Sequence, residues 1–194
     1  MGKTIINTGF FRGSLFLAGT NTQRVNEVLC KWIEDLEPEF LYRSLGYELG
    51  KALLAGIFDE SGEAIADANV PQKWKDLVFG AEFTYGTQTI KWQGLKQPDY
   101  NTSVIANYVY YHYYKDLHTQ STTSGEVKNK KENSVKVSVG NKICEAWNEM
   151  RDVLGVMWLF LTHKKDDNGD LVYPEFKNAN IDYTYFDYQN TFGI

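Results

Sequence analysis

The stretch GNKICEAWNEMRDVLGVMWLFLT, residues 140–162, decides the fold class. Ile143, Ala146, Trp147, Met150, Val153, Leu154, Met157, Trp158 and Leu161 recur every three or four residues, which gathers them on one face of an α-helix. A helix with so wide an apolar face is stable only when other helices or sheets cover it. The residues on either side must therefore supply the cover.

Immediately upstream, Thr119 to Ser134 holds no large apolar residue except Val127, and it carries Lys128, Lys130 and Lys131 among Ser, Thr, Gly and Asn. Such a composition cannot build a core, so residues 119–139 read as a long projecting loop or arched hairpin, with Val135, Val137 and Val139 alternating in its return strand. Before it, Asn101, Thr102 or Ser103 caps a helix reaching about Leu117 that carries Val104, Ile105 and Val109 among tyrosines. At roughly 100° per residue, Tyr108, Tyr110, Tyr111, Tyr113 and Tyr114 spread around the whole helix. A helix apolar on all sides must be covered on all sides, which leaves two readings: a subunit interface or a crowded internal core.

Further upstream, Asn21 or Thr22 opens a helix with Val25, Val28, Leu29, Trp32, Ile33 and Leu36 on one face. The pattern predicts a stop at Leu36 and a restart at Pro38, a proline at a first helical position, with Phe40, Leu41, Leu45, Leu49, Leu53 and Ile57 continuing the face. Gly46 and Gly50 sit four apart there, a spacing that allows close backbone approach, either inside the fold or to a neighbouring subunit. Arg43, Glu48 and Lys51 exclude a membrane setting for that pair. Asp59 to Asn69 reads as an acidic surface loop, Trp74 to Phe79 as a short helix or turn, and Phe83, Tyr85, Ile90 and Trp92 around Gly86 as a β-hairpin. Residues 1–20 show no helical period and read as an irregular arm. At the other end, Lys165 to Asp170 is turn chemistry, and the rest is an aromatic extension in which Ile181, Tyr183 and Tyr185 alternate as on an extended segment.

The fold expected is mainly α: a helical bundle of about four helices with small β-hairpin elements, a long projecting loop and an extended aromatic C-terminal arm. Its parts are an N-terminal arm (1–20), a helical domain (21–162) with the loop 119–139, and a C-terminal extension (163–194).

Twenty Lys and Arg against 25 Asp and Glu leave a net charge of −5, which argues against a chain whose main task is gripping phosphates. No window resembles a signal peptide or a membrane span. Cys30 and Cys144 lack paired spacing and read as buried thiols rather than a disulfide or metal site. His112 and His118 lie six apart, on opposite sides of a helix, and no nucleophile motif accompanies them or His163. Gly2-Lys3-Thr4 lacks the strand and glycine-rich turn of a phosphate loop. Asp166 to Asp170 lacks the glycine and closing glutamate of a calcium loop, so it reads as an Asn-Gly turn. The carboxylates Glu34, Asp35, Glu37 and Glu39 read as solvated charges. No catalytic residue, metal site or cofactor is expected. The rings of the extension, Tyr183, Tyr185, Phe186, Tyr188 and Phe192 among them, need a receiving surface, in cis or on a partner.

The order and spacing of several elements resemble head-to-tail connector, or neck ring, proteins of tailed bacteriophages, particularly those infecting Bacteroidales, the crAss-like phages included. The resemblance runs through Ala106-Asn107-Tyr108-Val109-Tyr110-Tyr111, Gly125-Glu126-Val127, Glu132-Asn133, Ala146-Trp147-Asn148-x-Met150 and Phe192-Gly193-Ile194, with Leu36-Glu37-Pro38 and Leu45-Gly46 fitting upstream. It implies a non-enzymatic virion subunit, made in the host cytoplasm, that closes into a ring matching a dodecameric portal. That ring would contact the portal protein and the next neck or tail protein, and genomic DNA would be transient cargo in its channel. The alternatives are a tail-associated binding module that recognises host glycans through exposed aromatics, and a small carboxylate hydrolase.

Overall fold

The computed structural model describes residues 4–17, 22–122, 125–128 and 139–190. Its α-helices are α1 (Gln23–Leu45), α2 (Tyr47–Ile57), α3 (Gln72–Phe79), α4 (Val104–His118) and α5 (Val139–His163). Three antiparallel pairs punctuate them: β1 (Ala81–Tyr85) with β2 (Gln88–Trp92), β3 (Lys96–Gln97) with β4 (Thr102–Ser103), and β5 (Thr119–Thr122) with β6 (Gly125–Lys128). The protein is thus mainly α with small β elements, as its periodicities predict. α5 extends the expected helix by one residue at each end and packs against α4, which also packs on α1.

One helix boundary differs. Pro38 neither stops nor starts a helix but lies inside the continuous α1. Proline in a helix interior costs about 3 kcal/mol, and the burial of Ile33, Leu36, Phe40, Leu41 and Leu45 on one face outweighs it. The chain turns instead at Gly46, whose φ of +80° suits a residue without Cβ. α2 begins at the next residue.

The β1–β2 hairpin pairs Phe83 with Ile90 and Tyr85 with Gln88. Phe83 and Trp92 are buried, with ring centroids 5.5 and 6.1 Å from that of Phe160 on α5. The strand that returns the Thr119 segment is β6, in register with β5 from Thr119–Lys128 to Thr122–Gly125. Val139 opens α5 rather than closing a strand. Val135 and Val137 lie outside the described residues.

Neither terminal segment is a free arm. Ile5, Ile6, Phe10, Phe11, Leu15 and Leu17 are buried against the helices, and so are Tyr173, Phe176, Ile181 and Phe186. The predicted alternation at Ile181, Tyr183 and Tyr185 is not an extended strand. Asp182 Oδ1 accepts from the Thr184 N–H at 3.1 Å and its hydroxyl at 2.6 Å, and this cap winds residues Tyr183–Phe186 into a 3-10 turn. The turn points Phe186 inward and leaves Tyr183 47% exposed.

Candidate functional site

The residues singled out in the sequence meet along one seam, where the C-terminal segment lies against α1, α4 and α5. Phe186 is fully buried there, its ring stacked at 6.2 Å on Trp147 and set edge-on to Phe40 and Trp158. Two side chains of α5 satisfy main-chain groups that have no strand partner. Trp147 Nε1 donates to the Asp187 carbonyl at 2.8 Å, and Asn148 exchanges two hydrogen bonds with the main chain of Gln189, each 2.9 Å long. Pairing partly buried backbone groups in this way lets an irregular segment pack with its polar atoms met.

At the centre of the seam is a polar chain. The Tyr108 hydroxyl donates to Glu39 Oε1 at 3.2 Å and lies 2.8 Å from the Tyr185 hydroxyl, which in turn is 3.5 Å from His112 Nε2. A tyrosine has one hydroxyl hydrogen, so with Tyr108 donating to the carboxylate, Tyr185 is the donor to Tyr108. By the same count, His112 Nε2 donates the long bond to Tyr185, and the chain runs from imidazole to carboxylate. Burial holds His112 down at about 4 and pushes Tyr108 and Tyr185 above the usual phenol range. His112 is therefore neutral at pH 7, boxed by the rings of Tyr108, Tyr111 and Trp147. Arg43 closes the outer end: its guanidinium sits 4.1 Å over the Tyr185 ring, and its Nε donates to Glu39 at 2.7 Å.

This geometry corrects the interface expectation for part of the tyrosine helix. Tyr108, Tyr110 and Tyr111 are buried within the subunit, so of the two readings the crowded internal core holds for them. The other helices and the C-terminal segment supply the all-round cover. Tyr113 and Tyr114 are half-buried, Tyr113 edge-on to Trp32 at 5.9 Å and Tyr114 4.6 Å from Tyr110. Gly46 and Gly50 are internal as well. A Cβ on Gly46 would stand 2.8 Å from Ala179 Cβ, and one on Gly50 would stand 2.9 Å from Tyr42 Cδ1. The pair thus serves the α1–α2 corner and the docking of the C-terminal segment rather than a neighbouring copy. Tyr185 is half-buried, while Tyr183 and Tyr188 remain exposed. Lys128 lies in β6, whereas Lys130, Lys131 and Phe192 fall outside the described residues.

A second polar centre lies on α1. Glu37, read from its neighbours as a solvated charge, is 0% exposed and accepts the N–H groups of Ile5 at 2.5 Å and Ile6 at 3.0 Å. Lys96 donates to the Ile5 carbonyl at 2.9 Å, so the N-terminal segment is held from both sides. Burial raises Glu37 to about 7, opposed by the two N–H groups and by Lys96. The signal was present in the spacing: Ile33, Glu37, Phe40 and Ser44 step by four, three and four along the buried face of α1.

A cleft of about 360 Å³ opens between the N-terminal segment, the β3–β4 turn, α4 and α5. Its polar lining includes Arg12, Gln93, Gln97, Asn101, Asn107, Glu149 and Asp152, over a floor of Phe10, Leu15, Met150 and Val153. Elsewhere, Asp166 Oδ1 accepts from the N–H groups of Asn168 and Asp170, so the Asp166–Asp170 segment is the Asn-Gly turn its sequence suggested. Among the described residues, no group of three or more His, Cys, Asp or Glu side chains is placed to hold a metal ion, and no helix is long and apolar enough to cross a membrane. Cys30 is half-buried and Cys144 buried, both as free thiols. Comparison with protein-family models, with curated proteins and with solved structures finds no match to this chain.

Proposed function

We propose that the chain is a non-enzymatic structural subunit of a tailed-phage neck, forming a closed ring that joins the portal to the tail and leaves a channel for DNA. The observation that carries this reading is the surplus of aromatic surface beyond a finished core. Phe186, Trp147, Tyr108 and their neighbours complete the interior, yet Phe16, Tyr47, Phe79, Tyr85, Tyr100, Tyr183 and Tyr188 stay exposed. Tyrosine and phenylalanine are enriched at protein interfaces, and so many on one small chain suit a subunit with neighbours on several sides. The resemblance of its motifs, in order and spacing, to those of connector proteins supports the same reading.

With Tyr108, Tyr110 and Tyr111 inside the subunit, the ring contacts fall to the exposed rings, Tyr183 and Tyr188 of the C-terminal segment foremost. A ring uses heterologous contacts, so two different patches of each subunit are covered on assembly. The partners follow from the resemblance: copies of the chain in a ring matching a dodecameric portal, the portal protein itself, the next neck or tail protein, and DNA as cargo. The place of action is the virion neck, after synthesis in the host cytoplasm. The excess of acidic residues suits a bore through which DNA slides.

The test is electron cryo-microscopy of purified particles together with native mass measurement of the recombinant chain. A ring at the head-to-tail junction with density matching α4 and α5 supports the proposal. A chain absent from the particle, or one that remains monomeric at high concentration with and without portal protein, overturns it.

A further inference from the structure

We propose that the cleft between the N-terminal segment and the α4–α5 pair is a binding site for a neutral saccharide of one or two rings. Its volume of about 360 Å³ lies in the range of small-molecule sites, and it combines an apolar floor with several convergent polar groups.

The kind of polar group selects the ligand. The lining carries one guanidinium, Arg12, and two carboxylates, Glu149 and Asp152, so neither a simple anion nor a simple cation meets charges of one sign. A hydroxyl group donates and accepts at once, and it suits an amide, a carboxylate and a guanidinium equally. Several of these groups are also held in place before any ligand arrives. Asn107 Nδ2 donates to the Ala146 carbonyl at 3.0 Å and to Glu149 Oε2 at 3.2 Å, which ties the α4 wall to the α5 wall. Gln97 Nε2 donates to Gln93 Oε1 at 3.0 Å, while its own Oε1 accepts from Thr102 at 3.3 Å. Arg12 Nε is fixed on the Gly9 carbonyl at 2.8 Å. A polar network ordered in advance lowers the entropy cost of binding.

Two further features fit a sugar. The half-buried Val153, with the edges of Phe10 and Leu15, offers apolar surface to the C–H face of a pyranose ring. Outside the lining, Tyr100, 77% exposed, precedes Asn101 in the chain, and Tyr188, 60% exposed, donates to Asp152. Asn101 is the one non-glycine residue among the described residues with a left-handed backbone, at φ 51°, and it lies in the lining at the turn into β4. Unusual backbone conformations gather at functional positions, which is consistent with this placement. The inference does not depend on the neck-ring reading and holds for a free monomer.

The experiment is a titration of the ¹⁵N-labelled full chain with maltose, cellobiose, lactose and diacetylchitobiose at millimolar concentrations, followed by amide and side-chain resonances. The expected result is saturable shifts from at least one sugar, concentrated at Arg12, Gln97, Asn101, Asn107 and Glu149. Gln93→Ala, which changes an exposed side chain, should weaken binding roughly threefold, and Asn107→Ala roughly tenfold or more. Because Asn107→Ala also removes the tie between α4 and α5, Gln93→Ala carries the decision if the former unfolds. A folded spectrum that no sugar perturbs overturns the proposal. So do shifts confined to Tyr47 and Tyr183, away from the cleft, or shifts produced at the cleft by inorganic phosphate or magnesium and by none of the sugars.

Discussion

The described terminal segments, residues 4–17 and 164–190, hold only short 3-10 turns, and both are bound to the helical body, by opposite means. Residues 4–17 are fastened by polar atoms: a buried carboxylate on the N–H groups of Ile5 and Ile6, and a lysine on the carbonyl between them. Residues 164–190 are fastened mostly by rings, with Tyr173, Phe176 and Phe186 sunk among Phe40, Trp147, Trp158 and Phe160. A carboxylate clamp concentrates its effect in one side chain and responds to pH. Ring packing spreads over many contacts and is indifferent to pH near neutrality. The distinction matters for the proposed function, because a subunit that assembles with neighbours needs to know which of its ends can be loosened without unfolding the rest.

The largest effect is expected from Phe186→Ala. Removing a fully buried phenylalanine costs about 3–5 kcal/mol, transfer and cavity contributions together. Urea denaturation should show the loss in one cooperative transition, because Trp147 and Trp158 belong to the main core as well as to the seam. A separate early transition, with α5 still protected from hydrogen exchange, would mean that the C-terminal segment folds as an appendage and that the seam is not part of the core.

Next comes Glu37→Ala, which strands two buried N–H groups and removes the partner charge of Lys96, for an expected loss of about 2–4 kcal/mol. Glu37→Gln keeps the shape and one good acceptor, and should lose less. The pH dependence carries the sharper test. Burial holds Glu37 at about 7 in the folded chain, against 4.5 for the free group. Between those values the folded state binds more protons than the unfolded state, so this group's contribution to stability falls as pH rises. The slope approaches about 1.4 kcal/mol per pH unit at most and levels off above 7. Subtracting the pH profile of Glu37→Gln from that of the unmodified chain separates its contribution from those of the other carboxylates. A difference curve that rises between pH 4.5 and 7 would show that the two N–H groups and Lys96 outweigh burial.

Gly46→Ala should cost about 2 kcal/mol. An alanine there carries the strain of φ +80° with ψ 155°, a region almost confined to glycine, about 1–3 kcal/mol, and its Cβ lies 2.8 Å from Ala179 Cβ. This change acts on α1, α2 and the C-terminal segment at once. Its companion Ala179→Gly removes the collision but not the backbone strain, so the double variant should recover part of the loss and no more. Full recovery would show that the collision alone decides the position.

How much of this was legible beforehand depended on whether a local rule or a distant partner governed each residue. α5 and the β1–β2 hairpin follow from period alone, because Ile143 to Leu161 and Phe83 to Trp92 have no competing local signal. Pro38 misled because its helix-breaking tendency is local, while the burial of Leu36, Phe40 and Leu41 against other helices is not. Glu37 misled in the same direction: its acidic neighbours suggested solvent, and only its step from Ile33 and to Phe40 placed it on the buried face. The candidate seam was half readable. The aromatic residues that build it were evident, but whether Tyr108 meets Tyr185 of its own chain or of a neighbour depends on the path of the last thirty or so residues, which no periodicity encodes.

The smallest effect is expected at Tyr188, and it separates the two kinds of fastening at the C-terminal end. Tyr188 is 60% exposed, and its hydroxyl donates to Asp152 Oδ1 at 2.5 Å, also at the surface. Hydrogen bonds made in water exchange one partner for another at little net gain. Tyr188→Phe should therefore leave the melting temperature and the urea midpoint of the isolated subunit unchanged, unlike the loss expected at Phe186 two residues earlier. If Tyr188 is one of the rings that meets a neighbouring subunit, the same substitution should weaken assembly, because a hydroxyl buried at an interface has no water to turn to. Tyr188→Ala should weaken assembly further, through loss of the ring. A clear fall in the melting temperature of the monomer on losing the hydroxyl would show that the Asp152 bond holds the segment in place. The anchoring assigned to the buried rings would then have to be shared with the rim.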